Sequence, residues 1–147
     1  MDTFHVDIVS AERTLFSGNA ALVIAPLREG EAGFLPGHSP LLGILKAGAL
    51  HCLDAGGGEQ VFYVSGGFVE VQPHHVTVLA DTGERAADID EALAARAVSD
   101  AALHAEEQAG KTDYARAQAE LAQAIARLAV VRRYRSQTPY SKPERIR

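Results

Sequence analysis

Six histidines, one cysteine and 19 carboxylates are the groups in this 147-residue chain that could carry chemistry. Gly37-His38-Ser39-Pro40 sets a histidine beside a serine. A general base must reach the hydroxyl it activates, and adjacent residues of an extended chain point to opposite faces. No Gly-x-Ser-x-Gly elbow is present, so the segment reads as a turn between strands. His74 and His75 fall on an expected turn beside Pro73, without partners at metal-ligand spacing, and no metal is expected. Gly30-Glu31-Ala32-Gly33 and Gly56-Gly57-Gly58 are rich in glycine, but neither opens a helix or leads to Lys-Ser/Thr, which excludes a phosphate loop. The single Cys52 forms no internal disulfide. No catalytic centre is expected; the enzymatic alternative is a small hydrolase using His38 or His74.

The elements that must position these residues change character once along the chain. Phe4, Val6 and Ile8 alternate with polar residues, the period of a half-buried strand. Apolar, β-branched runs follow at 20–25, 41–45, 48–53, 60–64, 68–71 and 76–80, broken by Gly56–Gly58, Gly66-Gly67 and Pro73-His74. Many short strands between Gly and Pro turns predict a β-sandwich or barrel over residues 1–86. From Asp88 onward alanine dominates and glycine almost disappears. Asp88 is the expected cap of a first helix, with Ile89, Leu93, Ala97 and Ala101 as its apolar stripe. Gly110 is a natural stop, and Tyr114, Ala117, Leu121, Ile125 and Leu128 form a second stripe. The expected second domain, 87–135, is therefore an antiparallel two-helix hairpin. Its seam of small residues buries little area and holds weakly, which suits a pair that opens. Residues 136–147, with Pro139 and Pro143, read as a disordered basic tail.

Charge narrows the partners. The net charge is −5, which argues against a nucleic-acid binder. It is unevenly spread: residues 132–147 carry six basic and one acidic group, and Arg127, Arg132, Arg133 and Arg135 gather at the end of the second helix. Such a cluster either complements the helix dipole or docks on an acidic protein surface. The first ten residues show no signal peptide, and no window reaches the ~18–20 apolar residues of a spanning helix, so the chain reads as soluble.

Several long motifs, in order, carry a resemblance. They are His5-Val-Asp-Ile-Val-Ser-Ala-Glu12, Leu15-Phe-Ser-Gly18, Gly30-Glu-Ala-Gly-Phe-Leu-Pro-Gly-His-Ser-Pro-Leu-Leu42, Tyr63-Val-Ser-Gly-Gly-Phe-Val-Glu-Val71 and Val76-Thr-Val-Leu-Ala-Asp-Thr82. Asp88-Ile-Asp-Glu-Ala92 and Ala119-Glu-Leu-Ala-Gln-Ala-Ile-Ala-Arg-Leu128 extend it into the helices. From about residue 3 to 135 the chain resembles the epsilon subunit of bacterial F-type ATP synthases, the delta subunit of mitochondria.

The resemblance implies a ten-stranded β-sandwich followed by the hairpin, in a non-catalytic rotor subunit that couples proton flow to ATP synthesis. It implies partners in the γ subunit, the c-ring, and the β and α subunits of the catalytic head. Gly30, Glu31, Ala32 and Gly33 would meet the c-ring as a loop; Ser10, His38, Pro40 and Leu42 would meet γ. Arg127, Arg132 and Arg133 would meet an acidic loop of β when the hairpin extends and blocks ATP hydrolysis. Some members bind ATP on the folded hairpin through Ile/Leu-Asp-x-x-Arg-Ala. Ile89 and Asp90 match its start, but Leu93 stands at the Arg position, which removes a cationic phosphate partner; no cofactor is expected. The implied location is peripheral, at the cytoplasmic face of the bacterial inner membrane, held there only through the complex. Without the resemblance, the residues fit equally a β-sandwich interaction module unrelated to ATP synthase.

Overall fold

A computed structural model of the chain describes residues 2–137. The chain divides into two compact units, Met1–Arg85 and Ala86–Arg147. The first contains ten strands: β1 (Phe4–Ser10), β2 (Thr14–Ala20), β3 (Leu22–Leu27), β4 (Gly30–Phe34), β5 (Leu41–Leu45), β6 (Gly48–Leu53), β7 (Glu59–Val64), β8 (Gly67–Gln72), β9 (His75–Ala80) and β10 (Gly83–Arg85). Their order is β10-β7-β6-β3-β5-β8-β9-β1-β2, with β4 paired to β3. The sheet folds on itself as a sandwich. β3 and β5 meet through the single pair Leu27–Leu45, which leaves the backbone free to turn a corner there. Inward residues of every strand from β1 to β9 contribute to one core, with Ile8, Phe34, Leu50 and Phe62 fully enclosed. Each such side chain contributes roughly 1.5–3 kcal/mol on burial.

Arg85 ties β2 and β7 to the last strand. Its guanidinium donates to the Leu15 carbonyl at 2.8 Å and to the Gln60 side chain, and lies 5.3 Å from the Phe62 ring centroid. β1 runs parallel to β9, which joins the first strand to one 68 residues away in sequence at the His75–Asp7 bond.

In the sandwich three expectations require correction. Gly30–Gly33 is not a loop: it lies in β4, pairing from Val23–Phe34 to Leu27–Gly30, and the turn falls at Arg28-Glu29. A partner strand overrides the weak strand preference of its glycines. The run 20–25 spans two elements, because Ala20 closes β2 and the chain bends at Ala21 before β3. His75 opens β9, leaving only His74 on the turn.

The second unit begins with a 3-10 turn, Ala86–Asp88, followed by α1 (Glu91–Glu107) and α2 (Tyr114–Gln137). Asp90, not Asp88, caps α1: its backbone is extended and its side chain accepts the Leu93 N–H at 3.0 Å. Asp88 belongs to the preceding turn and Ile89 is buried, so the helix starts beyond both. Gly110 takes φ +77° in the connection, a conformation that glycine adopts without strain. The seam is narrower than the two stripes. Ala94, Ala105, Ala117, Val130 and Val131 are buried, whereas Leu93 is 59% and Ile125 51% exposed. Two helices share one line of contact, and small residues take it because they permit close approach; the larger ones flank it. Ser136 and Gln137, assigned above to the tail, continue α2, and Pro139 and Pro143 lie outside the described residues. Among the described residues no helix is long and apolar enough to cross a membrane.

Candidate interaction surfaces

Strand alternation decides what the sandwich shows to solvent. On β5, β8 and β9 the inward positions are Gly43, Leu45, Val69, Val71, Val76 and Val78, so Leu42, Ile44, Phe68 and Leu79 must face outward. Their exposures are 71%, 41%, 49% and 52%. The ladders align Ile44 with Phe68, Phe68 with Leu79, and Leu79 with Val9, which makes an apolar row across four neighbouring strands. A contiguous apolar patch of this kind marks a docking surface. Ile44, Phe68 and Leu79 do not stand out in the sequence, because their runs carry apolar residues on both faces; the two-residue period of a strand was the available signal.

The residues expected on this face are placed around it. Leu42 lies on it, one step along β5 from the row, and Pro40 leads into β5. Ser10 closes β1 at the level of Ala80 and Gly67. His38 lies in the turn before β5, where its Nδ1 is 2.7 Å from the Ser39 carbonyl and its ring stands edge-on to Phe34. The ladder from Leu41 to Leu45 puts about 13 Å between these levels, so Ser10 and His38 flank opposite ends of the face. Glu31 is exposed on β4, opposite Pro26, with Ala32 half-buried between Glu31 and Gly33. Gly30, the first residue of β4, pairs with Leu27.

A polar cluster adjoins the row, and sequence spacing did not reveal it. Asp7 accepts from Ser17 Oγ at 2.6 Å, while His5 Nε2 and His75 Nε2 lie 3.2 and 3.0 Å from its two oxygens. The Ser17 hydrogen bond holds the Asp7 carboxyl below its ordinary range against partial desolvation, with both histidines assisting. The antiparallel register of β1 and β2 sets Ser17 opposite Asp7, and the parallel pairing of β1 and β9 adds His75. Among the described residues no three His, Cys, Asp or Glu side chains are arranged to hold a metal ion. Cys52 is buried, and desolvation pushes its thiol up to about 11, with Asp54 adding to the rise, so it is a poor nucleophile.

In the hairpin, Ile89 is buried and Asp90 is occupied as the cap. Arg127, Arg132 and Arg133 are not gathered on one side: at 100° per residue they are spread around α2. Arg132 and Arg135, three residues apart, share a side, and both pair with Glu91 of α1, at 3.1 and 3.6 Å. Asp90, Glu91, Ala92, Ala95, Arg132 and Arg135 line a shallow cleft there.

A closed sandwich with an outward apolar row, joined to a thinly sealed helical hairpin with a cationic end, is the architecture of a docking protein. Comparison with known proteins makes it specific. The family model for the ATP synthase Delta/Epsilon chain, beta-sandwich domain, matches residues 3–86. The ATP synthase epsilon chain of Nitrosococcus oceani is 56% identical over 133 residues, 90% of this chain and 95% of its own length. That of Alkalilimnicola ehrlichii is 53% identical over 137 residues, 92% of this chain and 96% of its own. A chain in the solved Euglena gracilis mitochondrial ATP synthase (OSCP/F1/c-ring, rotational state 1) shares the fold at 21% identity, with a TM-score of 0.70, covering 92% of this chain and 81% of that one. The chain belongs to the delta/epsilon family of ATP synthase subunits, which are parts of that complex and not enzymes by themselves. The reading as an unrelated interaction module falls with this match.

Proposed function

We propose that the chain is the central-stalk rotor subunit of its ATP synthase, with the sandwich as platform and the hairpin as a brake on ATP hydrolysis. The observation that carries the reading is the apolar row Ile44–Phe68–Leu79–Val9 with Leu42 beside it, because a subunit built for permanent attachment needs an exposed apolar face. That face, flanked by Ser10 at one end and by His38 and Pro40 at the other, docks on γ. The β3–β4 hairpin, with Glu31 on its exposed side, meets the polar loops of the c-ring. The thin alanine seam lets α1 and α2 part, and the arginines of α2 then meet an acidic surface of the β subunit. No cofactor is needed: Leu93 supplies no cation, and Asp90 is engaged by its own helix. The subunit sits peripherally at the cytoplasmic face of the inner membrane, held by the complex.

Replacing Arg127, Arg132 and Arg133 by Ala tests the brake. The purified complex should assemble normally and hydrolyse ATP several-fold faster, most clearly at low ionic strength, where pairs between subunits are least screened. Equal rates for wild type and variant at low and moderate salt would remove these arginines from the brake.

A further inference from the structure

Glu91 opens α1, and Arg132 and Arg135 lie in the last turns of α2. The two carboxylate oxygens of Glu91 are divided between them: Oε2 accepts from Arg132 Nε at 3.1 Å, and Oε1 lies 3.6 Å from Arg135 Nε. Antiparallel pairing brings the start of one helix beside the end of the other, where the dipoles favour a carboxylate and cations respectively. The neighbouring carboxylate, Asp90, is committed to the cap. The side chains of Arg132 and Arg135 are 58% and 60% exposed, so a second carboxylate can reach them.

From this we infer that Glu91 is a built-in competitor for the acidic partner of α2. In the closed hairpin it engages the Nε groups of the arginines that an acidic protein surface would take, so that partner competes with Glu91 for them, and winning both parts the open end of the helix pair. The clasp rests on the reading that α2 meets an acidic surface of the catalytic head, and it adds what holds the pair shut. It also gives Arg135 the same standing as Arg132. Exposed ion pairs are weak and salt-screened, so the clasp biases the equilibrium without locking it.

Amide exchange of residues 92–98 in the full-length chain reads the clasp directly. Glu91→Gln should speed exchange about 3- to 10-fold at low salt. The pair Arg132→Gln/Arg135→Gln should do the same, and combining all three should add nothing. Additive effects would overturn the clasp, because Glu91 would then act only on its own helix dipole. In the reconstituted complex, Glu91→Gln should lower ATP hydrolysis and Arg132→Gln/Arg135→Gln should raise it. Both variants shifting hydrolysis in the same direction, with non-additive exchange intact, would leave the clasp standing and overturn the acidic-partner reading instead.

Discussion

At the scale of single residues, Asp7 is the centre of a polar cluster on the sandwich. A serine and two histidines from three strands converge on it. Its carboxyl is held below the ordinary value of 3.8, chiefly by Ser17. A lowered pKa in the folded state means that ionised Asp7 stabilises the fold above the unfolded value, and that this stabilisation is lost as pH falls through the folded one. Asp7→Asn should therefore destabilise the chain by about 0.5–1 kcal/mol at neutral pH, the site being partly solvated. The difference should shrink as pH is lowered below 3.8. Urea unfolding of both proteins across that range checks it, and a gap that persists at the acid end would mean packing, not charge, was lost. Gly67 is a second residue whose identity is dictated. It takes φ +126°, and a Cβ there would stand 2.0 Å from the Leu79 carbonyl oxygen. Gly67→Ala should cost about 3 kcal/mol or more in denaturant unfolding, since both β8 and β9 backbones would have to move.

At the scale of elements, the strands β5, β8 and β9 carry two unlike faces. The inner face supplies valines to the core, and the outer face supplies the row Ile44–Phe68–Leu79. Because outward residues contribute little to folding, Leu42→Glu and Phe68→Glu should each change stability by no more than about 1 kcal/mol. Affinity for purified γ should nonetheless fall about tenfold or more, since a desolvated charge would replace an apolar contact. Titration calorimetry with γ measures this, and undiminished binding by both variants would place the γ contact on another face. The helices behave differently. Their seam is alanine and valine, so their separation costs less apolar burial than opening the sandwich would, where Phe, Ile and Leu are enclosed.

At the scale of the whole molecule, the chain joins a unit that closes on itself to one that barely does. Arg85 completes the sandwich by binding Leu15 and Gln60, and the second unit begins at the next residue. A chain ending at Ala86 should therefore fold cooperatively, remain soluble and bind γ with an affinity within about threefold of the full-length chain. Circular dichroism melting and a γ pull-down test this. A truncated chain that aggregates would show that the helical unit is needed to complete the sandwich core.

Local signals were sufficient for much of this. Alternation placed β1, apolar runs between turn residues placed β5 and β6, the shift from β-branched residues to alanine marked where helices begin, and the ordered motifs identified the family. Those features follow from periodicity and composition, which short windows contain. Tertiary pairing decided the rest. The glycines of β4 read as a loop until β3 supplied a ladder, and Asp90 took the cap because burial of Ile89 moved the helix start beyond Asp88. The apolar row needed the register of β5, β8, β9 and β1, and Asp7 needed a strand 68 residues distant. Arg132 and Arg135 looked like part of a free cationic end until α1 brought Glu91 against them. Side chains far apart in sequence meet only when register and helix pairing are set, and that choice is made by the energy of the whole packed unit.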